Sequence, residues 1–239
     1  MNQLSCKLLL TKELPIFEQL QLEEALFRAS TDNWCICNFQ SPPAIVLGIS
    51  NLPQEMIDLS QPDLPPIIKR FSGGGTVIVD QNTVFFTIIL NRHELPSLSC
   101  PQSLMSWTHS LLAPAFLPKM LQLHDHDFSI DDQKVGGNAQ SFSKDRILHH
   151  ISFLWSWDQE RMSLLHIPSR QPSYRKGRSH HHFCHKLASF FPTKHDLVQA
   201  LISCVEQKFQ TISVSLQEAQ GFLQKPHRKA LSVVNIANL

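Results

Sequence analysis

Arg70, Ser72 and three consecutive glycines, Gly73, Gly74 and Gly75, stand together at the head of a β-rich stretch spanning residues 69–90. Glycine inside a strand gives up backbone entropy and packs nothing, so three in a row point to unusual dihedrals or to a ligand approaching the backbone closely. Successive bare amides form a concavity that suits an anion, and a neighbouring guanidinium adds a fixed, forked positive charge matched to carboxylate or phosphate. The same glycines would also serve as a hairpin entry with no ligand. The stretch lacks the Gly-Lys-Ser/Thr of a Walker A loop and the spacing of a G-x-G-x-x-G turn, so an anion bound here would be bound on strands.

A second group lies at residues 134–140, KVGGNAQ. Read as extended chain, it places Lys134, Gly136, Asn138 and Gln140 on one face, with Val135 and Ala139 pointing inward. A lysine beside two glycines is placed to neutralise charge developing on a phosphoryl or carbonyl oxygen, although a lysine that merely blunts a sheet edge would look the same. Of the adjacent His149 and His150, a strand lets only one face a given site. The histidines at 180, 181, 182 and 185 and the run His124-Asp125-His126-Asp127 contain metal-ligand types, but neither has the paired spacing of a structural zinc site, and no metal site is expected from them. Cys184, beside His182 and His185, is the local candidate for a thiol nucleophile.

The elements that must position these groups follow from periodicity. Residues 7–11 are expected to form a strand, and Pro15 to open an amphipathic helix whose stripe is Ile16, Leu20, Leu22, Ala25 and Leu26, leaving Glu18, Glu23 and Glu24 toward solvent. Two strands, 34–39 and 44–49, flank Ser41-Pro42-Pro43, and a proline-rich loop fills 51–66. Residues 76–79 and 84–90 form an antiparallel hairpin about Asp80-Gln81-Asn82-Thr83. A helix starts at Ser99-Cys100-Pro101 and is kinked or cut short by Pro114. Strands are expected at 121–130, 134–141 and 147–157, separated by turns at Asp131-Asp132 and 143–146. In the last of them Ile151, Phe153, Trp155 and Trp157 oppose His150, Ser152, Leu154 and Ser156. The stretch 166–186, with Arg170, Arg175, Lys176, Arg178 and Lys186, is the most basic of the chain. Thr193-x-x-Asp196 caps a well-formed amphipathic helix, and a short strand follows at 211–216.

These elements fit within one α+β domain covering 1–239, with a largely antiparallel sheet. Of the 239 residues, 42% are apolar and 17% charged, enough to expect a core, and the net charge of +1 gives no support to a nucleic-acid role through bulk basicity. The six cysteines show no C-x-x-C unit and read as reduced, mostly buried thiols, and with neither a signal-peptide pattern nor a membrane-length apolar run the expected location is cytoplasmic.

Three separated motifs occur in order: Lys69-Arg70-Phe71-Ser72-Gly73-Gly74-Gly75-Thr76-Val77 with Asp80; Lys134-Val135-Gly136-Gly137-Asn138-Ala139-Gln140; and Lys144-Asp145-Arg146 followed by His149-His150. Together they resemble the lipoate–protein ligase A family from the helix around Glu23 to about Trp157. Pro172-Ser173-Tyr174-Arg175 with Arg178 and His180 is similar to a Pro-x-Tyr-Arg-x-x-Arg-x-His segment of a shorter branch that lacks the C-terminal accessory domain. The resemblance implies the biotin and lipoate ligase fold, related to class II aminoacyl-tRNA synthetases, with a central mixed, mainly antiparallel sheet flanked by helices. It implies ATP-dependent conversion of lipoate (lipoic acid) to lipoyl-adenylate, with Mg2+ accompanying the phosphates. Transfer would be to a lysine on lipoyl domains of 2-oxoacid dehydrogenase acyltransferase subunits or on the glycine cleavage H protein. No nucleic-acid or membrane partner is implied. By motif position Lys134 is the catalytic residue, and Arg70, Ser72, Gly73, Gly74, Gly75, Thr76, Val77, Ile78, Lys134, Gly137, Asn138 and His150 bind the nucleotide and acid. His126-Asp127 departs from the Asn-Asp that the family often carries there, which weakens a role for Asp127. An octanoyltransferase of the same fold, or a non-catalytic lipoyl-domain-binding protein, remain alternatives.

Overall fold

A computed structural model describes residues 3–167 and 171–236, so Arg170 of the basic stretch lies outside the described residues. The elements in chain order are β1 (Ser5–Lys12), α1 (Ile16–Ala29), β2 (Trp34–Phe39), β3 (Ala44–Leu47), the one-turn α2 (Pro53–Met56), β4 (Ile67–Lys69), β5 (Val77–Val79) and β6 (Thr83–Asn91). Then follow α3 (Pro101–Leu112), β7 (Gln122–His124), β8 (Asp127–Ile130), β9 (Gln133–Phe142), β10 (Arg146–Leu154), α4 (Gln159–Ser163), α5 (His180–Phe183), α6 (Lys194–Lys208), β11 (Gln210–Ser213), α7 (Leu216–Gln220) and β12 (Ser232–Val233). Eight strands in the order β11-β1-β2-β6-β10-β9-β8-β7 make the main sheet, and β12-β4-β3-β5 make a smaller one. In the main sheet β1 is parallel to both β2 and β11, and all other pairs are antiparallel. The sheet is thus mixed, mainly antiparallel and flanked by helices, as expected.

One face of the main sheet packs against α3 and α6 through Cys37, Phe86, Ile88, Ile151 and Phe153 on the strands and Leu104, Leu112, Leu201 and Val205 on the helices. The other face carries α1, whose Leu22 and Leu26 meet Ile36, Ile89 and Leu148, while Ile16 and Leu20 on the same helix pack on Val46, Ile68 and Val79 of the small sheet. Helix α1 is therefore enclosed by two sheets. That enclosure overturns the expectation of solvent for two of its carboxylates: Glu23 and Glu24 are both buried, while Glu18 is exposed as expected. Glu23 accepts hydrogen bonds from Gln19 and Thr87, and Glu24 accepts from the Ala230 and Leu231 amides and pairs with Arg28. A buried carboxylate is tolerable when its oxygens are satisfied in this way.

The hairpin expected at 76–90 is not one. Its turn forms, with the Thr83 amide donating to the Asp80 carbonyl, but β5 pairs with β3 in the small sheet while β6 lies between β2 and β10 in the large one. With both neighbours of β6 supplied from elsewhere, β5 takes the open edge of β3. The Ser41-Pro42-Pro43 connection likewise carries the chain from the large sheet to the small one. The strand expected over 121–130 is split into β7 and β8 by a turn in which Asp125 has a φ of 51°. Helix α3 gives way at Ala113–Phe116 to a 3-10 turn that contains Pro114. Helix α6 is capped by Thr193 and Asp196 as expected, and β11 runs from Gln210 to Ser213. Among the described residues no helix is long and apolar enough to cross a membrane.

Candidate active site

The cavity that organises the molecule forms where β9 outruns β8. Strand β8 pairs with β9 over Gln133, Lys134 and Gly136, so the remainder of β9 has a free edge on that side. The glycine loop docks there: the Gly73 amide donates to the Gln140 carbonyl, and a Cβ added to Gly74 would fall 2.9 Å from the Asn138 carbonyl oxygen. The loop is tied on its other side to β3. The Gly74 carbonyl oxygen lies 2.1 Å from where a Gly48 Cβ would be, and the Asn51 amide donates to the Gly74 carbonyl at 3.2 Å and to Thr76 Oγ1 at 3.1 Å. Gly74 itself has a φ of 105°, a conformation strained for any residue with a Cβ.

Arg70 is buried beneath this loop. Its Nε donates to Ser72 Oγ at 3.0 Å, Nη1 to the Val46 carbonyl at 3.2 Å, and Nη2 to the carbonyls of Gly73 at 2.9 Å and Gly75 at 2.8 Å. Burial brings its pKa down to about 10, which leaves it charged at neutral pH. The guanidinium thus holds carbonyls. In a trans peptide the C=O and the following N–H point in opposite directions, so fixing the Gly73 and Gly75 carbonyls turns the amides of Gly74 and Thr76 away from Arg70. Sequence reasoning supposed that Arg70 and the amides face an anion side by side; here the arginine orients the amides instead.

His150 supports the loop from the sheet. Because the Glu23 carboxylate only accepts, His150 Nδ1–H donates to Glu23 Oε2 at 3.0 Å, and the other nitrogen of the neutral ring, Nε2, accepts from the Ser72 hydroxyl at 2.8 Å. Burial lowers the His150 pKa, with Glu23 opposing the shift, so the ring is held neutral in this tautomer. Ser72 is buried behind the loop, whereas Arg70, Gly73, Gly74, Gly75, Thr76, Val77, Ile78, Lys134, Gly137, Asn138 and His150 all line one cavity of about 770 Å³. That volume is in the range of small-molecule sites.

Lys134 reaches the cavity by a route that simple alternation missed. The β8–β9 register slips by one between Phe128 and Ser129, with Phe128 opposite Gly136 and Ser129 opposite Lys134. The bulge turns Val135 and Gly136 both toward Ile151 and Phe153, and brings the Lys134 Cε within 3.6 Å of the position a Gly137 Cβ would take. Lys134 therefore shares a side with Gly137, not with Gly136, Asn138 and Gln140. Its Nζ lies 2.7 Å from Asp127 Oδ1, and the Tyr174 hydroxyl donates to Asp127 Oδ2 at 3.1 Å. Burial, the largest single influence, lowers the Lys134 pKa; the charge and hydrogen bond of Asp127, with Cys184, together outweigh it and the net shift is upward. The ammonium is fixed as a cation.

The basic segment closes the cavity. Asp125 accepts from the Ser173 amide at 2.8 Å and its hydroxyl at 3.1 Å, Arg175 is buried with its guanidinium carbon 4.8 Å from the Phe183 ring centre, and Arg175, His180, Phe183 and Cys184 join the lining. Cys184 bridges to Lys134 through the backbone. Its thiol is pushed up to about 11 by burial, Lys134 and Arg175 opposing, and the flanking histidines turn elsewhere, His182 to Ser179 and His185 to Gln133 and Ser189. The apolar end of the cavity is formed by Met56, Ile78, Phe85, Leu154, Met162 and Leu165. Among the described residues no three His, Cys, Asp or Glu side chains gather as metal ligands do. Asp127 and Arg175 are not among the residues that the sequence assigns to ligand binding, and Cys184 enters there only as a candidate thiol nucleophile. Asp127 could have been suspected from its place two residues from Ser129, which stands opposite Lys134 across the β8–β9 hairpin, whereas the other two come from a loop whose path no periodicity predicts.

Comparison with known proteins agrees with this geometry. The chain is 26% identical over 285 residues to the inactive lipoate–protein ligase 2 of Plasmodium falciparum, covering 91% of this chain and 73% of that one. It is 28% identical over 162 residues to the probable lipoate-protein ligase A of Mycoplasma pneumoniae, and there spans 46% of the relative's length. Its fold superimposes with a TM-score of 0.75 on the bi-partite lipoate protein ligase of Thermoplasma acidophilum, at 16% identity, covering 93% of this chain and 91% of that one. A lipoate-protein ligase A bound with ATP superimposes with a TM-score of 0.71 at 15% identity, covering 93% and 92%. The lipoyl protein ligase A/B catalytic domain matches residues 15–210, and the chain belongs to that family.

Proposed function

We propose that the chain activates a lipoate-like carboxylic acid with ATP and passes the acyl group to a lysine of a lipoyl domain. The observation that carries this reading is a single cavity in which a salt-bridged lysine, a glycine loop with outward-turned amides and an apolar end are brought together. In the first step a carboxylate oxygen attacks the α-phosphorus and pyrophosphate leaves. Negative charge then concentrates on the α-phosphoryl and acyl oxygens, where the fixed Lys134 ammonium and the loop amides stabilise it. In the second, the partner's amine attacks the acyl carbon, AMP departs and the amine gives up a proton. The protein supplies no nucleophile, and its remaining task is to hold amine and mixed anhydride together away from water. Mg2+ uses one or two carboxylates together with substrate phosphates; Asp125, whose Oδ2 alone is taken by Ser173, is the carboxylate on the cavity wall that would hold it, Asp127 being engaged by Lys134 and Tyr174. Bound there, it would offset phosphate charge.

The neighbours support this in outline, since one is described with ATP bound and another together with its E2 lipoyl domain. A second reading, a lipoyl-domain-binding protein without catalysis, is favoured by the inactive Plasmodium falciparum relative. Incubation with lipoate, Mg·ATP and a purified lipoyl domain, followed by mass spectrometry, separates the two. A ligase adds one lipoyl mass, while a binding protein adds none yet still associates with the domain. Mass gain from an octanoyl thioester without ATP would instead indicate an acyltransferase, with Cys184 the thiol nearest Lys134.

A further inference from the structure

His149 lies on the opposite face of β10 from His150, fully buried against α3, and belongs to no part of the chemistry above. Its two nitrogens have unlike partners: Nδ1 is 2.9 Å from Thr108 Oγ1 and Nε2 is 2.9 Å from Asn138 Oδ1. The Asn138 amide nitrogen donates to the His126 carbonyl at 3.0 Å, which fixes the amide with its oxygen toward the imidazole. An amide oxygen only accepts, so Nε2 carries the proton and Nδ1 accepts from the Thr108 hydroxyl. The chain of bonds is fully determined. Among the described residues the Asn138 amide has no acceptor besides His126, so one N–H is left over, and Asn138 borders the cavity.

We propose that His149 is a positioning residue that acts through Asn138, locking the amide so that its spare N–H is offered to an oxyanion oxygen of the bound ligand. The proposal rests on the nucleotide and acid reading of the cavity. Without the imidazole, Asn138 could flip or rotate and present its carbonyl to the ligand, replacing a donor with a repelling acceptor. Burial holds the His149 pKa at about 3, consistent with a ring that stays neutral and keeps one tautomer at working pH. His150 is fixed in the other tautomer by Ser72 and Glu23, so adjacent histidines brace two walls of one cavity from two sides of the sheet.

The test combines spectroscopy with a mutant cycle. Nitrogen-15 spectra of the imidazole should show the Nε2–H tautomer with no titration between pH 8 and about pH 4; an Nδ1–H tautomer, or titration near the ordinary histidine value, overturns the proposal whatever the chain binds. Calorimetry with AMP and, separately, lipoate on His149→Leu should show about a tenfold loss for the ligand whose oxygen meets Asn138. Asn138→Ala should lose as much, the double variant no more than either, and His149→Gln, whose amide can donate as Nε2 does, should recover most of it. Additive losses, or a folded His149→Leu with unchanged affinity for both probes, would sink it. If wild type binds neither AMP nor lipoate, the proposed function fails instead, and the tautomer measurement still decides the His149–Asn138 pairing.

Discussion

Lys134 and Asp127 define the site at the scale of single residues. Replacing Lys134 by Ala removes the cation on which developing charge would rest, and should lower acyl transfer on the order of a hundredfold or more with little loss of stability; steady-state rates on the folded variant check this. Asp127→Asn tests the pair from the other side. Asp127 holds the lysine pKa up against burial and the Arg175 charge, with only a smaller contribution from Cys184 beside it, so its removal lets the pKa fall. The ammonium is then lost at lower pH, and the alkaline limb of the pH–rate profile should move down; an unmoved limb would show that the ion pair does not set the charge of Lys134. Lys134 was singled out by motif position beside two glycines, and it does line the cavity. Its direction was not legible, because alternation assumes unbroken register and one bulge beside Val135 reverses it. Glu23 was misread for a related reason: a helical wheel assigns carboxylates to water unless both sides of the helix are known to be covered.

Among the elements, the glycine loop depends on a residue outside it. Gly48 ends β3 with its Cα against the Gly74 carbonyl, and a methyl group there would sit 2.1 Å from that oxygen. Gly48→Ala should therefore displace the loop that Arg70 and Asn51 hold, weakening nucleotide binding several-fold while thermal stability falls only modestly; calorimetry and a melting curve on the same variant compare the two. The Gly73–Gly75 motif was visible in the sequence as a candidate ligand loop, and the turn at Asp80 as a turn. That β5 and β6 part into different sheets was not visible, because turn chemistry specifies a reversal of the chain and leaves open which strand stands alongside. The basic segment was equally opaque: its charges suggested an exposed loop, yet Arg175 is buried over Phe183.

For the molecule as a whole, the buried histidine pair makes folding sensitive to acid. His149, neutral down to about pH 3 in the native state, takes up a proton near pH 6.5 when the chain unfolds, so the unfolded state binds more protons throughout that window and stability falls as pH falls across it. Each unit of pH inside the window costs up to about 1.4 kcal/mol. His150 shifts in the same direction. Urea midpoints should drop from pH 7 to pH 5, and His149→Gln should flatten that slope. The strand order has a further effect, on the time at which the fold can close. Strand β1 lies between β2 and β11, so one of its edges waits for Gln210–Ser213, far later in the chain. Pairing across some two hundred positions is slow, because the entropy of closing so long a loop is lost before the contacts form. A chain emerging from the ribosome accordingly carries Ser5–Lys12 with one side open until Gln210–Ser213 has been made. Arrested nascent chains released at residue 208 should remain protease-sensitive where those released at residue 224 resist, and in the cell that interval is when a chaperone would find this protein.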